Sequence, residues 1–290
     1  MTKRAVIITT SVLVGLVSIF TILFGVVFRI REINVVCGED FCYKTQVGDI
    51  VNTSKLQKND SIFSINRNKI ADNIEKAYPY ARVDGVNITS FTDVNIKLSN
   101  REPLYYVVEE AVYYILDEDC KVLEITNDSV RASKYIRLND VFSMGENVQV
   151  GNFLEGSYAE VCNGLYTAMY TNAMLNIGED ADQDGDLDAK YLERADMCEV
   201  ISSVRFEQVE ELHGKVDRLI ITTSYGVSLS IIEPTNNLDY KINMVFSALR
   251  TLIEQDNENL TDNATKGSIV VRYSYDDNNQ QLLKCEYHAE

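Results

Sequence analysis

Apolar positions are unevenly spread along the chain. Residues 5–28 form one predominantly apolar run of 24 residues without a charge, long enough to cross a bilayer as a helix. After it the pattern breaks into short alternations. Residues 29–36 read as a strand with Ile33 and Val35 on one face, ended by Gly38. Thr45 is a cap for a short helix in which Val47, Ile50 and Val51 share a stripe. Asn66 or Asn68 caps a second helix with Ile70, Ile74, Ala77 and Tyr78 on one face. Pro79 stops that helix, because proline cannot continue the backbone ladder and constrains the residue before it. Val86 and Ile88, then Val94, Ile96 and Leu98, alternate with polar neighbours as half-buried strands do. The order is strand, helix, helix, strand, strand.

These residues carry a resemblance. Their order behind a single apolar run is similar to the POTRA domain of the bacterial division family FtsQ/DivIB. The family's apolar strand ending in a V-x-G-like turn appears as Val35-Val36-Cys37-Gly38, with one residue inserted. A segment resembling its "nlf-x-ln" phrase is Ser61-Ile62-Phe63-Ser64-Ile65-Asn66, without the usual preceding glycine. Its E-R-x-P-like phrase appears as Arg101-Glu102-Pro103, with the charges transposed. The residues from Tyr113 to Leu123 resemble a family hairpin, with Cys120 in place of the turn glycine. A second hairpin joins Leu219–Thr222 to Val227, Leu229 and Ile231 through a Tyr225-Gly226 turn. A helix containing Lys241 then aligns Ile242, Val245, Phe246, Leu249 and Ile253. Gly267 leads into Ile269-Val270-Val271-Arg272-Tyr273, which resembles the family's "g-x-i-D-l-R-Y" strand with Val270 replacing the aspartate.

Composition changes the picture next. The chain is 46% hydrophobic with three prolines, as a globular protein is, and its net charge is −17. All 44 acidic residues follow Phe28. So acidic a surface argues against nucleic acid, which requires basic neutralising groups, and against flat contact with anionic lipid. The apolar run is longer than a signal-peptide core of 7–15 residues, and no small-x-small cleavage site follows it. It therefore reads as an uncleaved anchor over 5–28 behind a short cytoplasmic tail, 1–4. The short tail places the remainder outside the cytoplasmic membrane. Six cysteines are compatible with disulfides there, and Cys37 and Cys42 lie close enough in sequence to close a small loop.

Catalytic chemistry is poorly supplied. His213 and His288 are the only histidines, and neither a GxSxG elbow nor an HExxH helix is present. The sharpest local signal is acidic: Asp180, Asp182, Asp184, Gly185, Asp186, Leu187 and Asp188 match the front of a calcium loop. Position 12 of that frame is Tyr191 rather than glutamate; the frame from Asp182 reaches Glu193 but puts Leu187 at the glycine position. A solvated loop and a structural calcium site with ligands Asp180, Asp182, Asp184, Asp186 and Asp188 both stand as readings. N-x-S/T matches such as those at Asn52, Asn87, Asn259 and Asn263 are incidental in a bacterial protein, which the resemblance implies.

The expected architecture is α+β: a transmembrane helix, a POTRA-like β-α-α-β-β domain over 29–106, and a mixed β-rich domain over 107–290 with an acidic insertion near 175–195. The resemblance implies a non-enzymatic scaffold at the division septum that requires no cofactor. Its implied partners are bitopic proteins of the FtsB/DivIC and FtsL type and septal cell-wall synthesis proteins. It also implies that the region at and after the R-Y phrase is an edge for partner docking. Arg272, Tyr273, Ser274 and Tyr275 are the candidates there. Tyr273 matches the family tyrosine; Ser274 and Tyr275 follow by position. Ordinary strand tyrosines facing the core are the alternative. A calcium-dependent sensor or adhesion module is the other function class. A POTRA-bearing transporter component ranks last, since neither repeated POTRA units nor barrel strands appear.

Overall fold

The computed structural model describes residues 3–22, 25, 27–38, 47–139, 148–154, 156, 159–178, 188–211, 214–255, 266–275 and 281–289. The chain divides into two compact units, Met1–Arg101 and Glu102–Glu290. The boundary expected at 106/107 falls inside a strand of the second unit, β4 below.

The first unit opens with helix α1 (Lys3–Ile22). It continues through β1 (Glu32–Cys37), α2 (Val47–Ser54), α3 (Arg67–Ala77), β2 (Ala81–Ile88) and β3 (Asp93–Asn100). The sheet order is β1-β3-β2, with β1 parallel and β2 antiparallel to β3. Asn66 caps α3: its side-chain oxygen accepts the Lys69 N–H at 3.1 Å, satisfying one of the orphan donors of the first turn. Ile70 and Ile74 of α3, Ile50 of α2 and Val86, Val94, Ile96 and Leu98 of the sheet form one core. Cys37 is disulfide-bonded; Thr45 and Cys42 lie outside the described residues.

The expected transmembrane helix is corrected here. Among the described residues, no helix is long and apolar enough to cross a membrane. The described part of α1 is Lys3–Ile22. Phe28 belongs to the folded unit, where its ring packs edge-on against Phe63 at 5.2 Å and Phe91 at 5.5 Å. Single-pass anchorage and the orientation derived from it lose their support.

The second unit holds β4 (Tyr105–Glu109), β5 (Val112–Leu116), β6 (Val122–Thr126), a one-turn helix α4 (Ser129–Ala132) and β7 (Ile136–Asn139). Then follow α5 (Ala159–Asn172), β8 (Met174–Asn176), β9 (Ala189–Tyr191), α6 (Arg194–Val200), β10 (Ile201–Glu211), β11 (Gly214–Thr223), β12 (Val227–Ile232), α7 (Leu238–Gln255), β13 (Gly267–Tyr275) and β14 (Gln281–Ala289). Nine strands form one open sheet in the order β14-β13-β12-β11-β10-β7-β4-β5-β6, and β8 and β9 form a separate hairpin. Alternation decides its faces. Val204, Phe206, Leu219, Ile221, Leu229, Ile231, Ile269 and Val271 point into a core shared with Leu165 and Met169 of α5 and with Ile242, Val245, Phe246 and Leu249 of α7. The opposite face carries ion pairs such as Arg218–Glu207 at 3.7 Å and Arg272–Glu286 at 2.6 Å.

Two buried features set the stability of these units. Arg101 is 5% exposed and pairs with Glu75 of α3 at 3.0 Å. Its Nε donates to the Ala81 carbonyl at 3.3 Å, and Glu75 also accepts the Val83 N–H at 2.9 Å. The pair thus joins α3 to the start of β2. Arg101→Ala leaves the Glu75 carboxylate short of its cation, and urea unfolding of the first unit should show a loss of about 3–5 kcal/mol.

In the second unit, burial pushes the Cys198 thiol up from 9.0 to about 11, the nearby Arg194 opposing it. Burial likewise holds the Tyr105 hydroxyl well above its ordinary range. Because the folded value is raised, the unfolded chain ionises first as pH climbs. The stability Cys198 contributes is complete below about pH 9 and lost through pH 11, roughly 3 kcal/mol. Cys198→Ser should flatten that part of the alkaline stability profile, measured by denaturant unfolding between pH 8 and 11.

Candidate docking site

The last two strands bring the candidate residues together at one side of the sheet. β13 runs parallel to β12 and antiparallel to β14, with Arg272 opposite Lys284, Tyr273 opposite Leu283 and Ser274 opposite Leu282. β13 is therefore an interior strand, and the edge expected at the R-Y phrase lies one strand further on, at β14. The turn signal in residues 276–279 lies outside the described residues, but the register across it is a direct hairpin, Tyr275 opposite Gln281.

The four candidates divide between two faces. Arg272 points to the open face and donates from Nη2 to the Glu286 carboxylate at 2.6 Å. Ser274 shares that face, and its buried Oγ has no hydrogen-bond partner among the described residues. Tyr273 points the other way, toward α7. Tyr275 is placed by its backbone alone.

Around Tyr273 lies a polar cluster inside an apolar layer. Lys241 of α7 is 1% exposed. Its Nζ donates to the carbonyls of Ile232 at 2.7 Å and Glu233 at 2.9 Å, and lies 3.5 Å from the Tyr273 hydroxyl. The ammonium also stands 5.3 Å from the centroid of the Tyr273 ring, a cation–π geometry. Burial pulls the Lys241 pKa below its ordinary value, with Glu233 opposing. Burial, and then the bond to Glu233, raise that of Tyr273. Glu233 and Asn237 both adopt positive φ, 46° and 52°, so the turn between β12 and α7 is tight, and the Ile232 and Glu233 carbonyls at its start converge on one cation. Tyr273 is thus part of the packing of α7 onto the sheet.

β14 itself has two different sides. Leu283 and Cys285 pack against the core, and Tyr287 covers Gly267. A Cβ on Gly267 would meet the His288 carbonyl at 2.5 Å and the Tyr287 ring at 2.8 Å, so only glycine lets β14 come this close. Leu282, Lys284 and His288 are exposed. The sheet's two edges also differ. At β6, Val122 exchanges hydrogen bonds with Asn152 at 2.8 Å and Gly151 at 2.7 Å, and Lys121 bridges to Phe153. The 150–153 segment therefore covers the start of that edge, at Val122. At β14 no further strand or segment pairs among the described residues. Nine residues of backbone are presented there, the arrangement that accepts an added strand.

In sequence the acidic insertion falls between β8 and β9. The Gly178 N–H donates to the Asp188 carbonyl at 2.8 Å and closes its base. Asp180, Asp182, Asp184 and Asp186 lie outside the described residues, as does His213. Among the described residues, no group of three or more His, Cys, Asp or Glu side chains is placed to hold a metal. His288 lies on β14, 3.9 Å from Glu286.

If Lys241 anchors α7, removing it should cost more than trimming Tyr273. Lys241→Met leaves two carbonyls without their donor and should lower unfolding stability by about 2–3 kcal/mol; Tyr273→Phe should stay within about 1 kcal/mol. Denaturant titrations of both variants measure the difference.

No protein-family model matches the chain. It is 24% identical over 200 residues to the cell division protein DivIB of Clostridium tetani, covering 69% of this chain and 63% of that protein. It is 23% identical over 201 residues to DivIB of Clostridium acetobutylicum, covering 69% of this chain and 76% of that one. The chain thus aligns with less than two thirds of the Clostridium tetani protein. Both likenesses are distant, and both are consistent with the FtsQ/DivIB family that the sequence resembles.

Proposed function

We propose that this chain is a non-enzymatic scaffold of bacterial cell division that holds partner proteins at the septum. The similarity to DivIB proteins supports a role in cell division. The observation that carries the scaffold reading is the nine-residue β14, paired on one side only among the described residues. A partner segment adding to it gains a row of main-chain hydrogen bonds, and exposed Leu282 and Tyr287 beside the edge supply apolar contact. The partners proposed are small bitopic proteins of the FtsB/DivIC and FtsL type, with septal cell-wall synthesis proteins recruited alongside. Arg272, Ser274 and Tyr275 then act from the neighbouring strand, and Tyr273 acts by fixing α7 under it. Such assembly asks for no cofactor. A calcium ion ordering the Asp180–Asp188 loop is a separate proposal that rests on the residue pattern; calorimetry with millimolar calcium tests it.

The experiment is co-purification of the full chain with its division partners, compared with a Leu282→Asp, Lys284→Pro variant. The variant keeps the core-facing Leu283 and Cys285 while disrupting the edge backbone. Recovery of the bitopic partners should fall about tenfold or more with circular dichroism unchanged, since loss of an added strand removes several hydrogen bonds together. Undiminished recovery from a folded variant overturns β14 as the docking strand.

A further inference from the structure

Two thiols meet in the core of the second unit. Cys120 stands in the turn between β5 and β6, and Cys162 in the first turn of α5. Both are free and fully buried, and their side chains are hydrogen-bonded to each other. The backbone around them is fixed. The Cys120 N–H donates to the Asp117 carbonyl at 3.2 Å, and the Cys120 carbonyl accepts the Leu154 N–H at 3.0 Å. A second contact joins the same two elements. The Asn163 amide, turned to meet two carbonyls, donates to Asp119 at 3.2 Å and to Ala159 at 3.0 Å. Cys120 also has a φ of 60°, a conformation in which glycine costs least. A cysteine there is favoured by its side chain and not by its backbone.

We propose that Cys120 and Cys162 are joined by a disulfide as the chain folds, stapling the β5–β6 turn to α5. The mutual hydrogen bond already aims the sulfurs at each other, and a short further approach reaches the about 2 Å of an S–S bond. The pair encloses a loop of roughly 40 residues, and closing it removes freedom from the unfolded chain. Cys37 is disulfide-bonded, so the surroundings that oxidise it serve a second pair. Cys120, Cys162 and Cys198 all lie around the Tyr105 hydroxyl, which is buried without a hydrogen-bond partner among the described residues. Cys198 of α6 is only half-buried and stands beside Arg194 and Glu199; the hydrogen bond pairs Cys120 with Cys162. The oxidant is another disulfide, glutathione disulfide or that of an oxidoreductase. One protein thiolate attacks it and expels a thiolate, and the second attacks the mixed disulfide and expels the other. The two cysteines lose two protons and two electrons, and the oxidant leaves as two thiols. In the folded chain this exchange is slow. The bond to Cys162, then burial and the Asp117 and Asp119 carboxylates, push the Cys120 thiol well above its ordinary range, and the thiolate is the attacking form. The bridge therefore closes before the core does, and the core then shields it.

The full chain is unfolded and reduced, then refolded in a mixture of reduced and oxidised glutathione. It is quenched with acid, alkylated in denaturant and digested for mass spectrometry. Compared with a sample refolded under excess reductant, alkylation of Cys120 and Cys162 should fall about tenfold or more, as a structural bridge that resists the glutathione pool requires. A peptide pair joined through these two residues should appear, two hydrogens lighter than its separate members, while Cys198 keeps its alkylation. Undiminished alkylation of either residue overturns the proposal. So does a bridge from either one to Cys198 or Cys285. In a second arm, glutathione disulfide is added to the chain already folded and reduced. Closure should then be at least about tenfold slower, because a buried, protonated thiol attacks poorly. Equal rates in the two arms overturn closure during folding. The scaffold reading is untouched by either result, because its readout is partner recovery through β14.

Discussion

An open sheet cannot satisfy its own outermost backbone groups. Nine strands in sequence leave two margins, and the chain treats them differently. Beside β6, residues 151 and 152 supply a donor and an acceptor to its first residue, Val122. β14 has no such cover among the described residues, and Gly267 brings it so close to β13 that its inner side is fully engaged. The hydrogen-bonding capacity of its outer side is the consequence, and a long, unguarded strand edge is costly to keep unless something pairs with it. The core-facing residues, the helices on one face and the polar opposite face all follow from how this sheet buries one side.

Both units fasten a helix to a strand end with a buried cation. In the first, Arg101 reaches the Ala81 carbonyl and the Glu75 carboxylate of α3. In the second, Lys241 of α7 reaches two carbonyls at the end of β12. Their electrostatics differ. Arg101 has a carboxylate as partner, so its charge is matched. Lys241 meets mainly peptide dipoles, and its lowered pKa records the remaining desolvation cost. A hydrophobic residue of similar size would pack with less penalty but would not gather the converging carbonyls of a tight turn. The cation fixes the angle at which α7 lies on the sheet, and through Tyr273 it fixes the strand beside the edge.

Local chemistry was legible in the sequence where a single residue dictates a backbone event. Asn66 caps its helix, Cys120 takes the turn position with φ of 60°, and the Tyr225-Gly226 turn joins β11 to β12. Non-local order was not. Alternation puts Tyr273 and Tyr275 on one face, but cannot say which face the helices cover or that another strand lies outside β13. α5 escaped because Val161, Cys162, Leu165, Ala168 and Met169 are interleaved with small and neutral residues, blurring its period. Hydropathy also merged Phe28 with the preceding run, since it measures apolarity and not where a helix ends. Only the ring contacts with Phe63 and Phe91, brought together from turns some 30 residues apart in sequence, reveal its place.

The β14 edge and the exposed rings of Phe63 and Phe91 face solvent for opposite physical reasons. Unpaired N–H and C=O groups are directional and demand a strand at a fixed register, which suits recognition of a specific polypeptide. Phenylalanine rings on turn tips impose almost no direction and gain from any medium less polar than water. The acidic charge bears on the edge. It repels copies of the chain from one another, which keeps an uncovered edge from pairing with itself. A partner for β14 must then bring its own complementary strand, and charge opposite to this surface would speed its arrival.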